Sequence, residues 1–396
     1  MRSDITLEEL CSRQKAFFMA MSVANSNWDT AIILSKVNQY YFTGTMQDGI
    51  LVFKKSGKVA YFVRRSYERA VEESPIKEIF PIESYRDAAN IIGNDCGSTY
   101  FETEIATLAI VERLKKYFII TSINALDRVI LSVRAVKTQY ELSYMELSGK
   151  QHNLFLQNTV PPILKEGMSE ADFVAELYEK MVKSGHQGIC RFSMFQNEMV
   201  VGQVGFGESS LYPTSFDGPG GAYGMYPAVP TVGSRERKLK YGDLVFVDIA
   251  WGVGGYHTDK TQVYMFGKAP SEDVVKAHRA CMEVQKRISG LLKVGAIPCE
   301  IYNTVMSELD SNFLQNFMGF GSRQAKFLGH GIGLHVDELP VIASGFKEPL
   351  IENMVIALEP KKGIEGVGVV GVEDTYIVTP FGGKCITGGG SDIIVV

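Results

Sequence analysis

Two aspartates lie on either side of a glycine-rich segment in the second half of the sequence. Asp248 follows the apolar run 244–247, and Asp259 stands in the segment that returns after 252–255 (GVGG). This pattern predicts a β-hairpin in which the two aspartates lie directly opposite each other. Two carboxylates so placed repel each other, and a metal ion between them removes the conflict. A solvated hairpin with two surface acids fits the same pattern, so this hairpin alone does not decide the chemistry.

A second acidic hairpin is predicted nearer the C-terminus. Glu359 ends the apolar run 354–358, and Glu373 lies in the returning segment 369–378, with Gly366 at the midpoint. The two hairpins belong to a faint repeat, in which LKEG at 164–167 and LKVG at 292–295 each follow one predicted helix and precede another. Two copies of a helix–helix–hairpin unit are therefore predicted, with both hairpins facing one cavity.

A histidine between the hairpins completes a set of ligands. His330 lies in the segment 329–333 (GHGIG), where glycine on both sides lets the backbone approach whatever the imidazole binds. Carboxylates with one imidazole suit Mn²⁺, Co²⁺, Fe²⁺ or Zn²⁺, and such a set can hold two ions about 3.5–4 Å apart. Two divalent ions that activate water and polarise a carbonyl are thus predicted. The predicted metal ligands are Asp248, Asp259, His330, Glu359 and Glu373.

The composition narrows the class of protein. The chain has 396 residues, of which 45% are apolar and 21% charged, and a net charge of −5. This balance is typical of a globular protein, and no basic stripe indicates nucleic acid or a membrane surface. We find no signal-peptide pattern and no apolar run near the roughly 20 residues of a membrane span. Six scattered cysteines without a CxxC pair favour reduced thiols and a cytoplasmic location.

The predicted pattern of helices and strands changes near residues 131–141, where we place the domain boundary. In residues 1–135, strands are predicted at 31–34, 49–53, 59–63 and 100–102, and helices at 64–73, 87–92 and 105–117. In residues 136–396, a long helix is predicted to run to about Asn158, and another begins near Ser169 in a capping-box pattern. Apolar residues at steps of three and four predict a helix from 274 to 291, and a further helix begins near Pro298.

Four segments resemble the creatinase/prolidase/methionine aminopeptidase family, which has the pita-bread fold. They are GDLVFVDIAWGVGGYHTDKT, GHGIGLHVDELP, NMVIALEP and VEDTYIVT, within about 137–380. The region before them is similar to the N-terminal domain of the family's Xaa-Pro dipeptidase and aminopeptidase P branch. The resemblance implies an N-terminal α/β creatinase-like domain (1–135) and an α+β pita-bread metallohydrolase domain with a pseudo-two-fold repeat (136–396). It also implies a homodimer.

The resemblance further implies a metal-dependent hydrolase. Family peptidases cleave off an N-terminal residue, or split a dipeptide, at the bond before proline. In them a hydroxide that bridges two metal ions attacks the carbonyl, and a glutamate matching Glu359 transfers the proton. Glu359 is thus implied as a catalytic residue as well as a ligand.

Three positions depart from the family pattern. Asp337 and Pro227 stand where the peptidases usually have histidines, and Gly371 stands where prolidase-like members have arginine. His335 and His257 are candidate catalytic substitutes, since His335 lies in the same loop and His257 is two residues before Asp259 on the same strand face. Asp337 is predicted to bind a cationic or amino-bearing substrate.

Two other functions stay open on these grounds. The altered positions also fit a hydrolase that cleaves a C–N bond in a small amide or guanidino-type metabolite, and a non-catalytic binding protein is a third reading. In each case the expected partner is a small peptide or small molecule. Tyr223, in the glycine- and aromatic-rich segment 206–226, is a further candidate substrate-binding residue.

Overall fold

A computed structural model describes residues 4–396 of the chain, which divides into two compact units, Met1–Arg134 and Ala135–Val396. Each unit has its own sheets and its own apolar core. Among the helices of residues 4–396, none is both long enough and apolar enough to cross a bilayer. All six cysteines have free thiols.

The first unit is built on one mixed six-stranded sheet in the order β4-β3-β2-β1-β5-β6. β2 is antiparallel to both of its neighbours, whereas the β3–β4, β1–β5 and β5–β6 pairs are parallel. Its elements are α1 (Leu7–Ala24), β1 (Thr30–Ile33), α2 (Lys36–Thr43), β2 (Asp48–Lys54), β3 (Val59–Arg65), α3 (Tyr67–Glu73), β4 (Ile79–Pro81), α4 (Tyr85–Ile92), β5 (Asp95–Phe101), α5 (Leu108–Lys115), β6 (Ile119–Ala125) and α6 (Asp127–Ala135). The predicted α/β layers are confirmed.

The structure differs from the sequence-based prediction of this unit in two places. β3 continues to Arg65, so the helix predicted from 64 begins only at Tyr67. α1 was not predicted, although Leu10, Phe17 and Met21 recur on one buried face and the Thr6 hydroxyl caps its first turn.

The second unit begins with a long helix and contains two copies of a helix–helix–hairpin arrangement. α7 (Gln139–Leu154) continues as a π-helical turn to Thr159, and α8 (Glu170–Lys183) starts with the predicted capping box, in which Ser169 and Asp172 exchange hydrogen bonds. α9 (Glu272–Leu291) and α10 (Pro298–Glu308) occupy the same places in the second copy. A short helix, α11 (Ser311–Leu314), follows. The predicted helices of both copies are confirmed.

Each copy contributes one main sheet. The first sheet has the order β19-β9-β8-β7, and the second has the order β13-β12-β14-β17-β18. A bridge between Thr261 and Glu373 links β9 to the residue before β17, which brings the two hairpins together. The strands of this unit are β7 (Gly202–Phe206), β8 (Leu244–Val253), β9 (Tyr256–Met265), β10 (Gly319–Phe320), β11 (Arg323–Gln324), β12 (Gly329–Gly331), β13 (Glu338–Val341), β14 (Val355–Leu358), β15 (Lys361–Ile364), β16 (Gly368–Gly371), β17 (Asp374–Thr379), β18 (Gly382–Cys385) and β19 (Ile394–Val395).

Candidate metal centre

The first acidic hairpin forms, but in a different register from the predicted one. β8 and β9 pair Asp248 with Thr261 and Ala250 with Asp259, so the aspartates are diagonal neighbours on one face instead of directly opposed. The cause is the turn, which consists only of Gly254 and Gly255, with φ of 61° and 97°. Positive φ at both central residues is what a tight two-residue hairpin turn requires, and glycine supplies it. The carboxylates still face the same side of the sheet.

The second acidic hairpin forms in the predicted register. β14 and β17 pair Leu358 with Asp374, and beyond a short break β15 and β16 pair Lys361 with Gly371. Glu359 and Glu373 are therefore opposite each other by the same register, and Gly366 lies in the turn with φ of 71°. This part of the prediction is confirmed.

His330 enters the centre from β12, which lies between β13 and β14. A Cβ atom at Gly329 would lie 2.3 Å from the Ala357 carbonyl oxygen, and one at Gly331 would lie 2.1 Å from the Leu339 carbonyl oxygen, so only glycine fits on either side. Nδ1 of His330 donates to the Gly331 carbonyl oxygen at 3.1 Å. The proton is thereby placed on Nδ1, and Nε2 is left to face the carboxylates.

The carboxylates converge on Nε2 of His330. Glu359 Oε1 lies 3.4 Å from it and Glu373 Oε1 lies 3.7 Å away. Asp259, His330 and Glu373 each offer one ligand atom, and these atoms all lie within 4.8 Å of one another. Two atoms bound to one ion by tetrahedral bonds of about 2.1 Å are about 3.4 Å apart. The spacing of these ligand atoms therefore suits a metal ion.

Two features of the electrostatics also fit a cation at this place. Glu373 is 1% exposed, and its Oε1 is a buried atom with no hydrogen-bond partner in the part of the chain that the structure describes. Burial raises the pKa of Glu373 well above its usual range, and the nearby Asp259 and Glu359 carboxylates raise it further. Burial likewise raises the pKa of Asp259, with Asp248 adding to the effect. A bound cation would offset both causes.

Lys361 is the residue of the centre that sequence reasoning missed. Its side chain is fully buried, and its Nζ donates to Asp248 Oδ2 at 3.1 Å, Glu359 Oε2 at 3.0 Å and Glu373 Oε2 at 2.5 Å. Burial alone would lower its pKa, but the three carboxylates outweigh burial, and the pKa is raised well above its usual value. A signal existed: Lys361 is two residues after Glu359 on an extended segment, and alternation places both on one face.

Threonines and one buried ion pair hold the ligand strands in place. The Thr261 hydroxyl lies 2.7 Å from Asp248 Oδ1, and the Thr375 hydroxyl accepts from the Asp259 backbone N–H at 2.9 Å. Next to the ligands in sequence, Lys260 Nζ lies 2.6 Å from Asp374 Oδ1, and both side chains are buried. These groups, which the sequence analysis did not single out, fix the orientation of the aspartates.

The two candidate catalytic histidines, His257 and His335, have hydrogen-bond partners outside the set of predicted metal ligands. His257 is fully buried, with Nδ1 3.0 Å from the Gly333 carbonyl oxygen and Nε2 3.0 Å from Gln187 Nε2. Burial lowers the pKa of His257 to about 4. His335 is half-buried, and its backbone N–H donates to Glu338 Oε1 at 2.9 Å. Catalytic roles for these histidines stay predictions.

The predicted substrate-binding residues have partners of their own. Asp337 accepts hydrogen bonds from the backbone N–H groups of Ser193 at 2.5 Å and Met194 at 3.0 Å, so its carboxylate anchors that loop. Tyr223 packs edge-on against Tyr212 with ring centroids 5.5 Å apart. It borders a cavity of about 520 Å³ lined by residues other than the five ligands, among them Arg237. Their predicted roles in substrate binding stay predictions.

The sequence matches two family models. The model of metallopeptidase family M24 matches residues 143–380, and that of the creatinase/prolidase N-terminal domain matches residues 20–136. The chain is 25% identical over 361 residues to the Xaa-Pro dipeptidase of Pyrococcus furiosus, covering 91% of this chain and 93% of that protein. The Xaa-Pro dipeptidase of Pyrococcus horikoshii is also 25% identical over 366 residues, covering 91% of this chain and 92% of that protein.

Solved structures share the fold. The crystal structure of the prolidase from Pyrococcus horikoshii OT3 has a TM-score of 0.77 at 22% identity and covers 97% of this chain and 100% of that one. The Xaa-Pro dipeptidase from Bacillus anthracis has a TM-score of 0.78 at 20% identity, covering 98% of this chain and 100% of that one. The predicted resemblance and two-domain fold class are confirmed. The chain belongs to metallopeptidase family M24, whose members use divalent metal ions, and it is a metal-dependent hydrolase with an N-terminal creatinase/prolidase domain.

Proposed function

We propose that the chain hydrolyses the bond before proline in small peptides, either splitting an Xaa-Pro dipeptide or removing an N-terminal residue. The observation that carries the proposal is the convergence of Glu359 Oε1 and Glu373 Oε1 on Nε2 of His330. Relatives of nearly the same length that bear the name Xaa-Pro dipeptidase supply the substrate class. We assign the reaction to the predicted domain 136–396.

The chain's own residues supply binding and proton transfer. A divalent ion at this centre would lower the pKa of a water molecule and polarise the substrate carbonyl. Asp259, His330, Glu359 and Glu373 would hold that ion, with His330 oriented through the Gly331 carbonyl. Glu359 Oε1 would accept the proton of the attacking water and pass it to the leaving nitrogen, because its other oxygen is engaged by Lys361.

Hydrolysis of a small non-peptide amide is a second candidate, favoured by one observation. A Cβ atom at Gly371 would lie 2.4 Å from the Pro360 carbonyl oxygen and 2.6 Å from the Lys361 Cα, so no side chain can reach the centre from this position. The arginine that the resemblance leads one to expect there has no equivalent at residue 371. A substrate other than a proline dipeptide would account for this difference.

The test is a substrate screen with the full chain loaded with Mn²⁺, Co²⁺ or Zn²⁺. We expect turnover of Xaa-Pro dipeptides and none of matched dipeptides without proline. Glu359→Gln should lower kcat by about 10²–10⁴-fold, the usual contribution of a general acid or base. Glu365→Gln, which alters an exposed glutamate in the turn of the same hairpin, is the control and should leave kcat unchanged.

The same screen separates the alternatives. Turnover of simple N-acyl amides without Xaa-Pro turnover would replace the peptidase proposal by the second candidate. The proposal also includes the homodimer that the resemblance implies, for which light scattering should give twice the mass of one chain. The cytoplasmic location stays a prediction, since it rests on cysteine usage.

A further inference from the structure

We propose that the Lys361 ammonium group permanently occupies one of two cation positions in this centre, so that each chain binds a single divalent ion on the His330 side. The inference deepens the proposed function, on which it rests for the role of the carboxylate cluster. It does not depend on which substrate is cleaved. Five ligand residues would otherwise suit two ions.

The carboxylate oxygens of the centre face two positions, which we call the Lys361 side and the His330 side after the residue that each one faces. Lys361 Nζ takes one oxygen each from Asp248, Glu359 and Glu373 at 2.5–3.1 Å. The other oxygens of Glu359 and Glu373 point towards His330 Nε2. The other oxygen of Asp248 pairs with the Thr261 hydroxyl at 2.7 Å. Among residues 4–396, the Glu359 and Glu373 oxygens that face His330 therefore have no lysine or arginine partner.

The nitrogen–oxygen distances show that the Lys361 ammonium group occupies the position between Asp248, Glu359 and Glu373. Nitrogen–oxygen separations near 3 Å are those of charge-assisted hydrogen bonds, whereas carboxylate oxygens bind metal ions at about 2.0–2.2 Å. An ion on the Lys361 side would need the same three oxygens and would lie against a positive charge. It would have to expel the ammonium group, whose side chain is fully buried.

The backbone also holds Lys361 in place. It pairs with Gly371 across the β15–β16 ladder. Gly371 has a φ of 127°, a conformation that glycine adopts readily and other residues rarely do. A Cβ atom at Gly371 would lie 2.6 Å from the Lys361 Cα, so the absence of a side chain there makes room for the lysine backbone. The lysine is thus built into the sheet.

The formal charges agree with one ion. When all are ionised, the Lys361 ammonium group and four carboxylates leave an excess of three negative charges in a buried space; the carboxylates are those of Asp248, Asp259, Glu359 and Glu373. One divalent ion reduces this excess to one. A second divalent ion would turn the group positive and would add a cation next to Lys361, which costs free energy where water does not screen it.

Metal content and spectroscopy test the inference without measuring activity. The purified full chain is loaded with Mn²⁺, desalted, and analysed for metal per chain by mass spectrometry and for spin coupling by electron paramagnetic resonance. We expect one Mn²⁺ per wild-type chain with the signal of an isolated ion. Lys361→Met should bind two ions with an exchange-coupled signal, since the methionine side chain is of similar length and uncharged.

Two further variants control for folding and charge. Lys362→Met removes the neighbouring lysine, whose Nζ donates to the Phe313 carbonyl oxygen at 2.8 Å, and should keep one ion. Lys361→Arg keeps the positive charge and should also keep one ion. If Lys361→Met does not fold, the wild-type count and its spectrum still decide.

The outcomes separate this inference from the proposed function. Two ions per wild-type chain, or a coupled Mn²⁺ pair, would overturn the inference even if Xaa-Pro dipeptides are cleaved. One ion without turnover of any Xaa-Pro peptide would overturn the proposed function and support the inference. No bound ion would overturn both. One ion in both the wild-type chain and a folded Lys361→Met variant would show that Lys361 does not exclude the second ion.

Discussion

Asp337 has one role predicted from the sequence and a different one observed in the structure. A single substitution distinguishes the two roles. From the sequence, Asp337 is predicted to bind a substrate cation, whereas in the structure its carboxylate accepts hydrogen bonds from the backbone N–H groups of Ser193 and Met194. The Ser193 hydroxyl lies 2.9 Å from Oδ2 of the same carboxylate. We therefore predict that Asp337→Ala releases the loop around residues 191–197.

The expected size follows from these hydrogen bonds. A hydrogen bond to a charged group contributes about 1.5–3 kcal/mol, and Ser193 is exposed, so water replaces part of the loss. We therefore expect Asp337→Ala to lower the free energy of opening of the loop by about 2–3 kcal/mol. This corresponds to a rise of about 30–150-fold in the equilibrium constant for opening. The amides of Ser193 and Met194 should exchange hydrogen faster by the same factor.

Hydrogen exchange followed by mass spectrometry on a peptide covering the loop measures this factor. The control is Asp217→Ala, which removes an exposed acid that lies 3.6 Å from Arg323. Unchanged exchange in Asp337→Ala would refute the anchoring role. A rise in KM confined to substrates with an extra positive charge would support the original prediction, because loss of an anchor affects all substrates alike.

Two further predictions concern stability. Burial lowers the pKa of His186 to about 4, and its Nδ1 accepts the Gly188 N–H at 3.0 Å. Its stabilising neutral form is fully present above the unfolded pKa of about 6.5 and is lost as pH falls towards 4. Between pH 7 and 4.5 the wild type should lose about 2–3 kcal/mol relative to His186→Asn, which cannot titrate but keeps an acceptor. Urea unfolding at both pH values measures this, and a difference that does not change with pH would contradict it. Gly371→Ala should lower the free energy of unfolding by about 2–4 kcal/mol, because its Cβ would meet backbone atoms at a positive φ. Gly345→Ala, which has open space around it, should change it by less than about 0.5 kcal/mol, and equal effects would refute the strain argument.

Spacing along the sequence correctly predicted two acidic hairpins, but it predicted the strand pairing of only the second one. Counting outward from Gly366 placed Glu359 opposite Glu373, because a single short turn lies between the strands. The same counting failed for Asp248 and Asp259, since the segment 252–255 allows more than one turn. The partner of Asp248 is Thr261 instead of Asp259, a shift of two residues. A shift by an even number of residues keeps both carboxylates on one face, so the predicted cluster still forms.

Contacts between distant segments were beyond such reasoning. Alternation correctly placed His257 on the strand face of Asp259, but its partners, Gln187 and Gly333, are about 70 residues away in each direction. A lysine beside acidic residues is usually solvated. Lys361 Nζ contacts Asp248, which lies in the other hairpin, and the residues next to Lys361 in sequence do not indicate that contact.

Lys361 shares with the metal the task of offsetting the repulsion among the buried carboxylates. In a centre with only carboxylates and one imidazole, the metal ions alone would offset the repulsion among four buried acids. Here the ammonium group also offsets this repulsion, because it links Asp248 of one hairpin to Glu359 and Glu373 of the other. The two halves of the repeat are thus joined by a group that belongs to the chain. It follows that the single ion we propose would complete an assembled centre, leaving Glu359 with one oxygen towards the lysine and one towards the reaction.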